Sequence, residues 1–175
     1  MDALSLYQIT QMRNPWFARV FLTSDQNLIG ATNNTVAFDT VAYDPNNNCN
    51  LALGTVGFGY TAPTAGYYLF TAGVFVHWGG ATSGQMWLQV YVSPAGHVLN
   101  IGTDIPVRDR HRDTIVPTGY NDFVSSDICT ILRLNQGDSV ALTIWTDTGG
   151  TNLLGSGTAV SGDYNFMDIM YLGPQ

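Results

Sequence analysis

The sequence predicts an all-β sandwich, and three observations carry that expectation. All 13 acidic residues are Asp and all 6 basic residues are Arg. Glu and Lys, good surface helix formers, are absent, and 19 Gly stand beside many Asn, Thr and Ser, a composition that disfavours helices. Apolar and β-branched runs recur between Gly, Pro and Asn turn signals, giving roughly eight to ten short strands at near-regular spacing. The third observation is the run APTAGYYLFTAGVFVHW, residues 62–78. Period-2 counting puts Tyr68, Phe70, Ala72, Val74 and Val76 on one face and Tyr67, Leu69, Thr71, Gly73 and Phe75 on the other. Both faces are largely apolar, whereas a strand wetted on one side alternates apolar with polar. This strand is therefore expected to be covered on both sides.

At 175 residues the chain fits one domain with a full core. Its net charge of −7 argues against a nucleic-acid partner. Two cysteines are too few for a disulfide framework. Cys129 falls in a strand pattern and Cys49 in an Asn-rich loop, so free thiols are expected. No apolar run reaches transmembrane length, so no membrane partner is expected. The start MDALSLYQ carries an acid and lacks the basic region of a secretory signal.

Residues 1–14 space Leu4, Leu6, Ile9 and Met12 without a clear period. They read as an N-terminal arm ahead of a 15–175 domain, either docked on a partner or frayed like most termini. PWFARVFLT (15–23) is the first strand, SDQNLIGATNN (24–34) a loop, and TVAFDTVAYD (35–44) a strand broken at PNNNCN. GTVGFGYTA (54–62) leads into the central strand, and Asn33-Asn34-Thr35 matches a glycosylation triplet that is common by chance. GQMWLQVYVS (84–93) sets Trp87, Gln89 and Tyr91 against Met86, Leu88, Val90 and Val92, a one-sided pattern. HVLNIG (97–102) reads as a short strand after the SPAG turn. Residues 122–147 read as two strands joined by a hairpin-type turn at Asn135-Gln136-Gly137-Asp138, the second again one-sided. TGGTNLLGSGTAVSG (148–162) is a loop with a Leu153-Leu154 plug, and DYNFMDIMYLG (163–173) closes the chain as a two-sided strand.

Residues 104–117, DIPVRDRHRDTIVP, are the most charged segment, interleaving Arg108, Arg110 and Arg112 with Asp109, His111 and Asp113. Mixed-sign charge usually faces water, which makes this a solvated loop. The functional alternative is an adhesive loop whose arginines pair with a partner's carboxylates. Catalysis finds no foothold. His77, His97 and His111 lie in separate segments without metal-ligand spacing, and no nucleophile elbow, phosphate loop or Cys-x-x-Cys occurs. Asp147 and Asp163 bracket the glycine-rich loop and read as turn formers before calcium ligands. No enzyme activity, metal or cofactor is expected.

The runs TVAFDTVAYDPNN, AGYYLFTAGV, LRLNQGDSVALTIW and LLGSGTAVSGDYNFMDIMYLG, in that order, resemble the complement C1q-like globular-head family. The resemblance spans about residues 16–173. It implies the two-sheet antiparallel jelly roll of about ten strands shared with tumour-necrosis-factor (TNF) cytokines, assembled as a homotrimer with one sheet lining the three-fold axis. It further implies an axis-facing set of Leu69, Thr71, Gly73 and Phe75, then Cys129 and Ile131, then Phe166, Met170 and Leu172. Tyr68, Phe70, Leu132, Leu134, Val140, Leu142, Ile144 and Ile169 would fill the core. Asp168 departs from the small residue usual in the family's last strand. A carboxylate there must be solvated, paired or ion-bound, and Arg133 is a candidate partner.

Three binding roles fit such a head. The chain architecture favours a virion structural protein: a trimeric capsid decoration or cement protein, or a fibre head, holding a bacteriophage capsid or fibre protein through its arm, on the virion surface. A secreted ligand of the complement or cytokine type is the alternative. So is a head recognising a host-surface glycan or receptor, with Trp78, Trp87 and Trp145 as stacking surfaces.

Overall fold

A computed structural model describes residues 17–53, 57–77, 83–98, 100, 104–115, 123–147, 152–153, 155 and 164–175. These residues form thirteen strands and no helix. In chain order they are β1 (Phe17–Phe21), β2 (Gln26–Asn27), β3 (Thr32–Thr35), β4 (Thr40–Tyr43), β5 (Cys49–Leu53), β6 (Gly57–Thr61) and β7 (Gly66–His77). Then follow β8 (Ser83–Ser93), β9 (Arg108–Ile115), β10 (Phe123–Leu134), β11 (Ser139–Thr146), β12 (Asn152–Leu153) and β13 (Phe166–Gly173). The expected arm, Leu4, Leu6, Ile9 and Met12 included, lies outside the described residues, as do Trp78 and Asp163.

The strands make two antiparallel sheets, as expected. The two-sided strand β7 is central to the seven-stranded sheet. β10 pairs along its whole length on one side, from Phe123 opposite His77 to Leu134 opposite Gly66. On the other side β13 pairs with Tyr67–Gly73 and β12 with Val76–His77. β1 and then β4 extend the sheet beyond β13, and β2 lies beyond β12. The six-stranded sheet runs β5-β6-β11-β8-β9, with β3 also against β11. Between the sheets, Tyr68, Phe70, Leu132, Leu134, Val140, Leu142, Ile144 and Ile169 are all buried, joined by Met86, Leu88 and Val90. Burial of each large side chain contributes roughly 1.5–3 kcal/mol.

Several local expectations fail, each because a long-range pairing overrides the local pattern. TVAFDTVAYD is not one strand. Thr35 ends β3 in one sheet and Thr40 opens β4 in the other, with Val36 and Phe38 buried at the crossing. The 24–34 loop contributes β2 and β3, and Cys49 opens a strand rather than sitting in a loop. The turn at Asn135–Asp138 is not a hairpin, because β10 and β11 belong to different sheets. It is an arch held from outside: Gly137 N–H donates to Ala62 O and Ala62 N–H to Asp138 O, both at 2.8 Å. His97, Val98 and Asn100 are not in a strand; Asn100 N–H donates to Asp104 Oδ2 (2.8 Å) and Asp104 N–H to Asn100 O (2.8 Å). The charged segment is the edge strand β9, not a loop, since its backbone pairs with β8 from Ser83 to Val90. The one-sided reading of β8 and β11 also falls short, since Gln89, Tyr91, Ala141 and Thr143 are buried on the supposedly wet face.

Candidate functional site

The seven-stranded sheet turns one face to the core and the other outward, and cross-strand partners share a face. On the outward face one row runs Phe17, Met170, Leu69, Ile131. The next runs Arg19, Asp168, Thr71, Cys129, and the third Phe21, Phe166, Gly73, Asp127. Phe75 opposite Ser125 and His77 opposite Phe123 complete the column along β7. Eight of the nine axis-facing residues that the resemblance implies thus fall on one surface by register. The ninth, Leu172, sits where the β13 register slips between Tyr171 and Gly173, and it is 48% exposed.

Their roles on that surface differ. Ile131 is 61% exposed and Cys129 is exposed, while Leu69, Thr71, Phe75, Phe166 and Met170 are half-buried. Gly73 is buried and offers no contact of its own. The Phe166 ring lies across it, so close that a Cβ on residue 73 would sit 2.7 Å from a ring carbon. Glycine there makes room for an aromatic from the paired strand. Phe75 stacks between Phe123 (5.4 Å, 7°) and Tyr164 (5.3 Å, 25°), and His77 leans on Phe123 at 5.0 Å. Phe123 and Tyr164 extend the apolar surface beyond the expected set. Phe123 shares the odd-numbered parity of Cys129 and Ile131, so period-2 counting reaches it; Tyr164 precedes its strand and carries no periodic signal.

Asp168 is paired, but not with Arg133. Arg19, directly opposite in the register, brings Nε to 3.7 Å from Asp168 Oδ1 and sets its guanidinium carbon 5.4 Å from the Phe166 ring centroid. Arg133 instead donates from Nε to Gln175 Oε1 (2.8 Å), and Gln175 Nε2 donates to Leu134 O (2.8 Å). The middle row of the outward face therefore carries an Arg19–Asp168 pair, and exposed Asp127 and Arg133 stand on the same face of β10.

Elsewhere the expected chemistry disperses. Arg108, Arg110 and Arg112 stand opposite Val90, Leu88 and Met86 in the β9–β8 register, and Arg108 is exposed. Among the described residues no group of three or more His, Cys or Asp is placed to hold a metal ion. His97 Nε2 meets Asp104 Oδ2 at 3.0 Å; that contact and the Asn100 N–H hold the Asp104 carboxyl below its ordinary value, the Asn100 bond being the larger cause. Both cysteines are free. Burial first, then the nearby Asp44 charge, pushes the Cys49 thiol far above the ordinary range, which keeps it inert. Among the described residues no helix is long and apolar enough to cross a membrane.

No protein-family model and no curated protein matches the chain by sequence. Solved structures do match in fold. The chain is similar to the Eiger TNF of S. frugiperda, with a TM-score of 0.61 at 12% identity over 91% of this chain and 93% of that one. It is similar also to murine APRIL, with a TM-score of 0.59 at 13% identity over 89% of this chain and 98% of that one. The fold is that of the TNF-like jelly roll.

Proposed function

We propose that the chain is a non-enzymatic recognition head of the C1q/TNF type, a ligand that works as a homotrimer assembled through the outward face of its seven-stranded sheet. The observation that supports this best is the co-facial apolar set itself. Leu69, Ile131, Phe166, Met170 and the Phe75–Phe123–Tyr164 stack occupy one continuous surface in a single chain. An apolar surface of that kind marks an interaction site, and copies of the same chain around an axis cover it most economically. The Arg19–Asp168 pair fits such an interface because it carries its own counter-charge into the contact. Three copies, in place of two, is what the resemblance to C1q and TNF heads adds.

Ile131→Asp tests the reading cleanly, because the side chain is exposed in the single chain and the fold does not depend on it. Light scattering of the wild type should give a trimer, and of Ile131→Asp a folded monomer, since an unpaired charge in the contact costs several kcal/mol. A variant that keeps the wild-type mass would remove this face from the contact.

The finer reading, a virion decoration protein or fibre head, rests on residues 1–14 and on chain architecture. The fold likeness to Eiger TNF and APRIL supports the ligand reading over it. Deleting residues 1–14 separates the two readings: a particle-bound head loses attachment, whereas a soluble ligand keeps its recognition.

A further inference from the structure

On the six-stranded sheet, away from the self-association face, one outward row is dry where it should be wet. Across it the register runs Thr35 of β3, Thr143 of β11, Gln89 of β8 and Asp109 of β9. The outer face of an antiparallel sheet is ordinarily polar and wetted. Here Thr143 is 0% exposed and Gln89 6%, and neither Thr143 Oγ1 nor Gln89 Oε1 has a hydrogen-bond partner. Neighbouring rows wall the pair in. Tyr91 and Ala141 on one side are buried, and on the other the Trp87 and Trp145 ring centroids are 5.0 Å apart. Buried polar atoms left unpaired are costly and rare. Cross-strand partners have Cβ atoms roughly 4.5–5.5 Å apart, so this hydroxyl and this primary amide are within side-chain reach. Even so, the hydroxyl does not donate to the amide oxygen. Both oxygens are sealed from solvent, which excludes a bound ligand and leaves chemistry between the two side chains.

We propose that Thr143 and Gln89 condense into an intramolecular ester, a covalent staple between β11 and β8. Thr143 Oγ1 attacks Gln89 Cδ: the Oγ1–Cδ bond forms, the Cδ–Nε2 bond breaks, and the amide nitrogen leaves as ammonia with the hydroxyl proton. No oxidant, reductant or cofactor enters the balance. Asp109, opposite Gln89 in the register and the ionisable residue of the row, is assigned the transfer of that proton. A free amide and a free alcohol do not react in neutral water. Holding the two on paired strands supplies the effective concentration, and the ammonia is lost to solvent as ammonium. The seal that excludes a ligand also keeps water from the product, so the ester is protected from hydrolysis. The bond accounts for the dry pair. The hydroxyl donor disappears, and the amide gives way to an ester carbonyl, a weaker acceptor that loses less by burial.

The test is the mass of the denatured full chain, which does not depend on oligomeric state and so stands apart from the trimer reading. The wild type should be lighter than its sequence mass by one ammonia, whereas Thr143→Ala and Gln89→Leu should each show their full sequence mass. Because all six basic residues are Arg, tryptic cleavage separates Gln89, in 20–108, from Thr143, in 134–175. In the wild type these two peptides should stay joined, and alkaline hydroxylamine, which cleaves esters and spares amides, should part them. If a variant fails to fold, the joined peptides of the wild type decide alone. A wild type at full sequence mass with the two peptides separate overturns the proposal, and so does an ammonia deficit that persists in Thr143→Ala. Asp109→Asn should slow the condensation and leave full-mass chain in fresh preparations; conversion as complete as in the wild type removes Asp109 from the step.

Discussion

Asp39 sits where the chain passes from one sheet to the other, and its carboxylate gathers the crossing together. Thr23 and Ser24 donate backbone N–H groups to it at 2.8 and 3.0 Å, and the Thr23 and Thr40 hydroxyls donate at 2.9 and 3.1 Å. Partial burial works against the charge, but these bonds together outweigh it and leave the carboxyl below the ordinary 3.8. A folded-state value below the unfolded one means that the stabilisation is complete above 3.8 and is lost as pH falls through the folded value. Asp39→Asn should therefore cost about 1 kcal/mol at neutral pH, a figure reduced by solvent screening at this exposed site. In urea melts the gap to wild type should close as pH drops below 3.8; a gap that stays constant with pH contradicts the account. Charge pairing is the least legible part of the sequence at this scale. Asp168 stands out in the sequence as a carboxylate needing a partner, and shared strand parity points to Arg133, whereas the structure pairs it with Arg19. Only the β1–β13 register distinguishes them.

At the scale of elements, intrinsic patterning found nearly every long strand but not which sheet each joins. The Asn135–Asp138 turn has hairpin chemistry, and a local reading cannot separate a hairpin from an arch. What decides is the remote segment around Ala62, which binds both Gly137 and Asp138. Gly137 has φ +86°, a conformation costly for residues with a Cβ, and a Cβ there would stand 3.0 Å from that of Ala95. Gly137→Ala should lower unfolding free energy by about 1–2 kcal/mol in urea melts; an unchanged midpoint would mean that the arch relaxes freely. The Arg/Asp alternation of 108–113 misled for a related reason. Charge suggests solvent, but an edge strand also tolerates charge, which protects it from adding further strands. β12 escaped notice because two residues of strand carry no period at all.

For the molecule as a whole, the greasiness of both faces of β7 was the most informative feature in the sequence. Which face is the core came from the resemblance to C1q-like heads, which put Tyr68 and Phe70 inside, and the even-numbered side from Tyr68 to Val76 is buried. On the odd-numbered side the greasiness marked the surface that also collects Ile131, Cys129, Phe166 and Met170. The structure adds a qualification: Phe75 is flanked by its own Phe123 and Tyr164, so part of that apolar surface is covered within the chain. For the same reason Phe75→Asp would disturb the fold as well as any contact, and Ile131 is the better probe. The indole pair on the opposite sheet was visible as two tryptophans, but the Gln89–Thr143 neighbour pair emerges only from the β8–β11 register. The measurement that bears most directly on the whole is sedimentation or light scattering of the wild-type chain at micromolar concentration. Three chains of 19.0 kDa, roughly 57 kDa, is the expected mass. A stable single-chain mass, with Ile131 and Cys129 open to solvent, would contradict it.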